Sequence, residues 1–105
     1  MTEAFSVIFT TAGSRSEADR IAEALVSRRL AACVQISEVA STYRWNGQVT
    51  HEVEHLLLIK TAARMYKEVE AAIQELHSYE IPEIVQLPIE QGLDPYLNWV
   101  DESTR

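Results

Sequence analysis

Cysteine is all but missing from this chain. Cys33 stands alone, so no disulfide can close within the molecule, and a lone thiol fits a reducing compartment. Glycine and proline are equally scarce, three of each in 105 residues. They fall at element boundaries, and the chain holds no linker, repeat or low-complexity tract. No apolar run approaches membrane-spanning length. The opening MTEAFSVIF lacks the basic residues and long apolar stretch of a secretory leader. A cytoplasmic protein with no membrane partner is expected. Positive charge is in short supply too: 9 Lys and Arg against 16 Asp and Glu leave a formal charge of −7. The one basic pair, Arg28-Arg29, falls where a helix should end and where cations favour the helix dipole. A phosphate backbone would be repelled, which excludes nucleic acid as a partner.

What is present is an ordinary globular composition, 47% hydrophobic and 24% charged, sized for one domain over residues 1–105. FSVIFTT (5–11) alternates Phe5, Val7 and Phe9 as a strand does. Ser14 and Glu17 form the S-x-x-E capping box of a helix that runs to about Arg29, with Ile21, Ala22 and Leu25 at helical spacing. LAACVQI (30–36) reads as a second strand continuing through STYRW (41–45). Asn46-Gly47 is a hairpin turn, since both residues tolerate positive φ, so residues 48–61 form the return strand. Its Leu56-Leu57-Leu58-Ile59 run predicts burial on both faces. A second helix is expected over 63–77 and a last strand over EIVQLPI (83–89), with Pro88 marking an edge or an end. Asp94-Pro95 supplies an N-cap and first-turn proline for a short C-terminal helix carrying Tyr96, Leu97, Trp99 and Val100. The order β-α-β-β-α-β plus a terminal helix is an α+β, ferredoxin-like arrangement, two helices covering one face of a four-stranded antiparallel sheet.

The hairpin decides the meaning of one conspicuous motif. His51, Glu52 and His55 match H-E-x-x-H, which on a helix binds zinc in metalloproteases. On a strand the two imidazoles lie roughly 13 Å apart at ~3.3 Å per residue and cannot share an ion. The match is accidental. The same strand, about 46 Å long when extended, outruns a helix of equal length at about 21 Å. Its tip, with Tyr43, Trp45, His51 and Val53, must overhang the domain or bend. Overhanging apolar surface and a long edge strand predict self-association with closed symmetry.

LAACVQI, STYRWNGQV, LLLIKT, HSYEIPEI, LPI and YLNWV occur in the order and near the spacing of the CutA divalent-ion tolerance family. The resemblance runs from about Ser6 to Val100. It implies a ferredoxin-like subunit, a tightly interlocked homotrimer, an architecture similar to PII signalling proteins, and a link to copper and other divalent cations. The chain departs from the family pattern at Ser78, where proline is usual, and at Gln35, where asparagine is common. Thr10 and Leu76 stand where some bacterial members carry a cysteine and a histidine proposed as copper ligands. Of that set His77 remains.

His77 falls at the end of the second helix beside Tyr79, Glu80 and Glu83, an imidazole and carboxylate set suited to Cu²⁺ or Zn²⁺. The competing reading is a histidine that satisfies helix C-terminal carbonyls. Cys33 reads as a small core hydrophobe or as a soft ligand for Cu(I). Lys60 closes an apolar run and needs a carboxylate if buried, with Glu80 and Glu83 available. That set is either an ion pair or a pocket between subunits for a small anion or metal. Tyr43, Trp45 and Trp99 belong to a subunit interface or stack on a ligand. No serine elbow, phosphate loop, Cys-His pair or carboxylate dyad announces catalysis, and no organic cofactor is implied. The expected function is a non-enzymatic, trimeric, copper-binding protein of metal tolerance. The alternatives are a PII-like signalling or partner-binding scaffold with an intersubunit small-ligand pocket around Lys60 and Glu80, or an enzyme using that pocket.

Overall fold

The computed structural model describes residues 4–105; Met1, Thr2 and Glu3, part of the opening stretch read for a leader, lie outside the described residues. The elements are β1 (Phe5–Ala12), α1 (Arg15–Ser27), β2 (Cys33–Trp45), β3 (Gln48–Ala62), a 3₁₀ turn (Ala63–Met65), α2 (Tyr66–Leu76), β4 (Val85–Ile89) and α3 (Asp94–Ser103). The strands form one antiparallel sheet in the order β2-β3-β1-β4. This is the α+β, ferredoxin-like order that the sequence predicts. Among the described residues no helix is long and apolar enough to cross a membrane.

Strand alternation sorts the side chains. Ile8 faces Ile59 across the β1–β3 ladder, and Thr10 faces Leu57. Ile8, Leu57 and Ile59 are fully buried beneath Ile21 and Leu25 of α1 and Val69 and Ile73 of α2. Residues of the other parity point away from the helices: Val7 and Phe9, Leu56 and Leu58, and then Val85 and Leu87 of β4. α3 shields only one end of that face, where Val100 packs with Phe5, Ala32 and Ala62. Leu56 and Leu58 therefore stay half-buried, and Val85 and Leu87 are 46% and 49% exposed. The two-sided burial expected of the Leu56–Ile59 run is met on one side only, because among the described residues nothing covers the other beyond the end shielded by α3.

Local chemistry adjusts several boundaries. Ser14 caps α1 by accepting the Glu17 amide at 3.2 Å, but Glu17 does not complete the capping box by that contact. Its carboxylate accepts instead from the Ser78 amide at 2.7 Å and the Ser78 hydroxyl at 3.1 Å. α1 stops at Ser27, and Arg29 takes a left-handed φ of 61°. That turn carries the Arg29 guanidinium to the Glu102 and Arg105 carbonyls, 2.6 and 2.7 Å away. β2 is continuous from Cys33, while 30–32 belong to the connection. The expected second helix opens as a 3₁₀ turn, and Asp94 is the first residue of α3 rather than its cap, which is Leu93. β4 is shorter than expected and is an edge strand, which tolerates Pro88. At the hairpin tip Asn46 and Gly47 both have positive φ, 51° and 75°, as a two-residue hairpin turn requires. The hairpin overhangs: the molecule measures 47 Å along its longest axis against 25 and 21 Å across.

Candidate functional site

β3 keeps His51 and His55 on a strand, which disposes of the zinc-protease motif. His51 Nδ1 lies 3.2 Å from Thr42 Oγ1, and His55 Nε2 lies 4.0 Å from the Glu38 carboxylate, each on its own rung.

Where the hairpin leaves the body of the sheet, the uncovered face turns acidic. Glu52 and Glu54 project beside Leu56 on the same side of β3. The segment that follows α2 lies against them with Glu80 and Glu83, enclosing a cleft of about 670 Å³. Tyr43 and Trp45 of β2 form its outer wall and Tyr79 its inner one. Two tyrosine–glutamate pairs run through it. Tyr43 donates its hydroxyl to Glu52, and Tyr79 donates to Glu54 at 2.8 Å. The hydrogen bond to Glu52 pushes the Tyr43 hydroxyl up to about 12. Burial and then the Glu54 partner raise Tyr79 above its ordinary value. Glu54 is 6% exposed and has this hydroxyl as its neutral partner, whereas Glu80 and Glu83 are open to solvent.

The segment is anchored from behind. His77 ends α2 in an extended conformation, its amide donating to Ile73. Its Nε2 sits 2.6 Å from the Thr11 carbonyl, and its Nδ1 accepts the Tyr79 amide at 3.0 Å. Its ring packs at 4.7 Å on that of Tyr79. Burial disfavours charge on Glu17, but the Ser78 hydrogen bonds outweigh it, helped by the Gly13 amide, and hold the carboxyl below its ordinary value.

The expected site residues are therefore split. His77, Tyr79, Glu80 and Glu83 lie on one segment, with Tyr43 and Trp45 opposite Glu80 and Glu83. Lys60 does not join them. It pairs across the sheet with Val7 and Cys33, six residues along β3 from Glu54 and so roughly 20 Å away at ~3.3 Å per residue. Its ammonium donates to Gln35 Oε1 at 2.7 Å and stands 6.0 Å over the Tyr96 ring, so no carboxylate is needed. Within one chain Lys60 and Glu80 therefore line no common pocket. Cys33 is at the Lys60 end, half-buried; Trp99 stacks at 5.6 Å on Tyr96 there. Among the described residues no three His, Cys, Asp or Glu side chains are gathered to hold a metal ion, so one chain falls short of a closed donor set.

Glu52 and Glu54, which line the cleft, and Glu17, which anchors its segment from behind, are candidates that the sequence reading passes over. Glu17 was hidden by its fit to a capping box, and Glu52 and Glu54 by the H-E-x-x-H motif that surrounds them. The signal was their i, i+2 spacing on a strand, which puts both carboxylates on one face.

Residues 6–103 match the family described as CutA1 divalent ion tolerance protein. The divalent-cation tolerance protein CutA of Thermus thermophilus is 44% identical over 99 residues, 93% of this chain and 96% of that one. A solved structure, described as the periplasmic divalent cation tolerance protein CutA from Archaeoglobus fulgidus, superposes with a TM-score of 0.95 at 38% identity, covering 96% of this chain and 99% of that one. The chloroplastic protein CutA of Arabidopsis thaliana is 37% identical over 100 residues, which make up 94% of this chain and 55% of that protein. The words periplasmic and chloroplastic overturn the expectation of a plainly cytoplasmic protein. A thiol with no partner in its own chain is compatible with oxidising and reducing compartments alike, so Cys33 never fixed the location.

Proposed function

This chain belongs to the CutA1 divalent ion tolerance family, and from that premise we propose that it acts as a homotrimer that binds divalent cations at the acidic cleft, by binding rather than catalysis. One observation carries the reading: the apolar sheet face left open among the described residues runs directly into the cleft of Glu52, Glu54, Glu80 and Glu83. Apolar surface of this kind favours association. A second copy seated on Leu56, Leu58, Val85 and Leu87 brings its own groups to the mouth of the cleft, completing a donor set that is partial in one chain. Carboxylate oxygens suit divalent ions and disfavour Cu(I). Among first-row divalent ions Cu²⁺ binds such groups most tightly, with Zn²⁺ behind it. Cys33 has no part in the cleft on this reading.

Native mass spectrometry tests it, apo and with stoichiometric Cu²⁺, on the wild type and on a Glu80→Gln/Glu83→Gln variant. A trimer that takes up three ions, with uptake lost in the variant, is expected. A monomer, or a trimer with scattered adducts that ignore the substitutions, would sink the reading.

A further inference from the structure

His77 is the residue whose type most invites a role as metal ligand, and its surroundings leave it no lone pair to offer. The Thr11 carbonyl, 2.6 Å from Nε2, can only accept, so Nε2 carries the proton. The neutral ring then presents a lone pair at Nδ1, and the Tyr79 amide occupies it at 3.0 Å. One donor and one acceptor thus fix the tautomer and the ring orientation together. The ring stands between two backbones: it ties the end of β1 to the residue that carries Tyr79, two positions on.

What that tie places is a carboxylate. Tyr79 reaches over the sheet face and donates its hydroxyl to Glu54 at 2.8 Å. Glu54 is the buried member of the four acidic residues of the cleft, so this hydroxyl decides where its oxygens stand. Ser78, between His77 and Tyr79, is held by Glu17, so the segment cannot drift without breaking that contact as well. Gly13 allows the approach, since a Cβ there would stand 3.0 Å from the Tyr79 hydroxyl oxygen.

We propose that His77 is a positioning residue rather than a ligand, and that it sets Glu54 within the cation cleft by holding Tyr79. The inference rests on the cation-binding reading above. It gives the histidine the part that outer partners of metal ligands play, where loss typically weakens affinity 10–100-fold.

Four proteins titrated with Cu²⁺ alone test it: wild type, His77→Ala, Tyr79→Phe and the double variant. His77→Ala and Tyr79→Phe should each weaken binding about tenfold. Because His77 acts through Tyr79, the double variant should bind no worse than either single one. His77→Asn, whose Oδ1 can still accept the Tyr79 amide, should recover most of the affinity. In the apo proteins the backbone amide of position 79 should exchange slowly in wild type, Tyr79→Phe and His77→Asn, and fast in His77→Ala. The paramagnetic resonance spectrum of the Cu²⁺ form should carry no nitrogen coupling that depends on His77. Additive losses in the double variant, or a nitrogen coupling that vanishes in His77→Ala, would overturn the proposal while leaving cation binding intact. Absence of Cu²⁺ binding by the wild type would end the cation reading and this inference with it. Tyr79→Phe keeps His77 and its backbone contacts, so the comparison survives if His77→Ala does not fold.

Discussion

At the scale of single residues, Glu17 shows how a buried charge becomes a condition for local order. Its folded carboxyl is held below the ordinary 4.5 by hydrogen bonds from Ser78 that outweigh the effect of burial. A carboxyl depressed on folding contributes stability that is fully present above the unfolded value and is lost as pH falls through the folded one. Urea melts of wild type and Glu17→Gln should therefore differ at pH 7, with the variant weaker by roughly 1 kcal/mol because its amide nitrogen cannot accept from Ser78. The gap should close below pH 4.5 as the wild type loses its advantage. A gap that is constant with pH would show that the carboxylate's charge is not what Ser78 needs. His77 and Glu17 teach the same lesson about reading chains. Each residue type was visible at once, but its partner lies about sixty positions away, at Thr11 and Ser78 respectively, and local spacing carries no information about such a pair.

At the scale of elements, the hairpin was the most legible part of the sequence. Asn46-Gly47 predicts the turn, the turn forces the strand reading of residues 48–61, and a strand rules out the zinc motif. Its tip tests the same logic. A side chain at position 47 would meet nothing within 4 Å, so space is not the obstacle, but φ of +75° disfavours any residue with a Cβ. Gly47→Ala should cost roughly 1–2 kcal/mol through backbone strain alone. Amide exchange at Trp45 and Gln48, the pair that closes the turn, should accelerate, with little change near Ile8 and Ile59. Uniform acceleration across the sheet would mean that the tip is not an independent unit. Helix ends were less legible, because tertiary partners set them. Arg29 occupies a left-handed position that glycine usually fills, and its guanidinium meets carbonyls at the far end of the chain.

At the scale of the whole molecule, the sheet order followed from the order of elements, whereas the cleft did not. Glu52 and Glu54 become site residues only because the segment after α2 folds back across them, and no pattern along the chain announces that return. The uncovered face makes the prediction proper to this scale. Leu56→Lys with Leu58→Lys should give a protein that sediments as a monomer yet keeps its helical and sheet spectrum, since the core of Ile8, Leu57, Ile59 and the two helices is on the other side. Unchanged sedimentation would show that association, if it occurs, does not use this face.

Strand register also carries a timetable. Pairs near the turn, such as Trp45 with Gln48, are close along the chain, and each further rung of β2 and β3 lengthens the enclosed loop only a little. β1 must wait for a partner half a chain away, and the rung between Phe5 and Ile89 joins residues from near opposite ends. Loop-closure entropy predicts an order of events in which the hairpin zips from its tip, β1 docks beside it and β4 arrives last, an order that pulsed hydrogen exchange during refolding would check. On that order the long arm that gives the molecule its 47 Å reach is the first part of the sheet to form, a ruler laid down before the thing it measures.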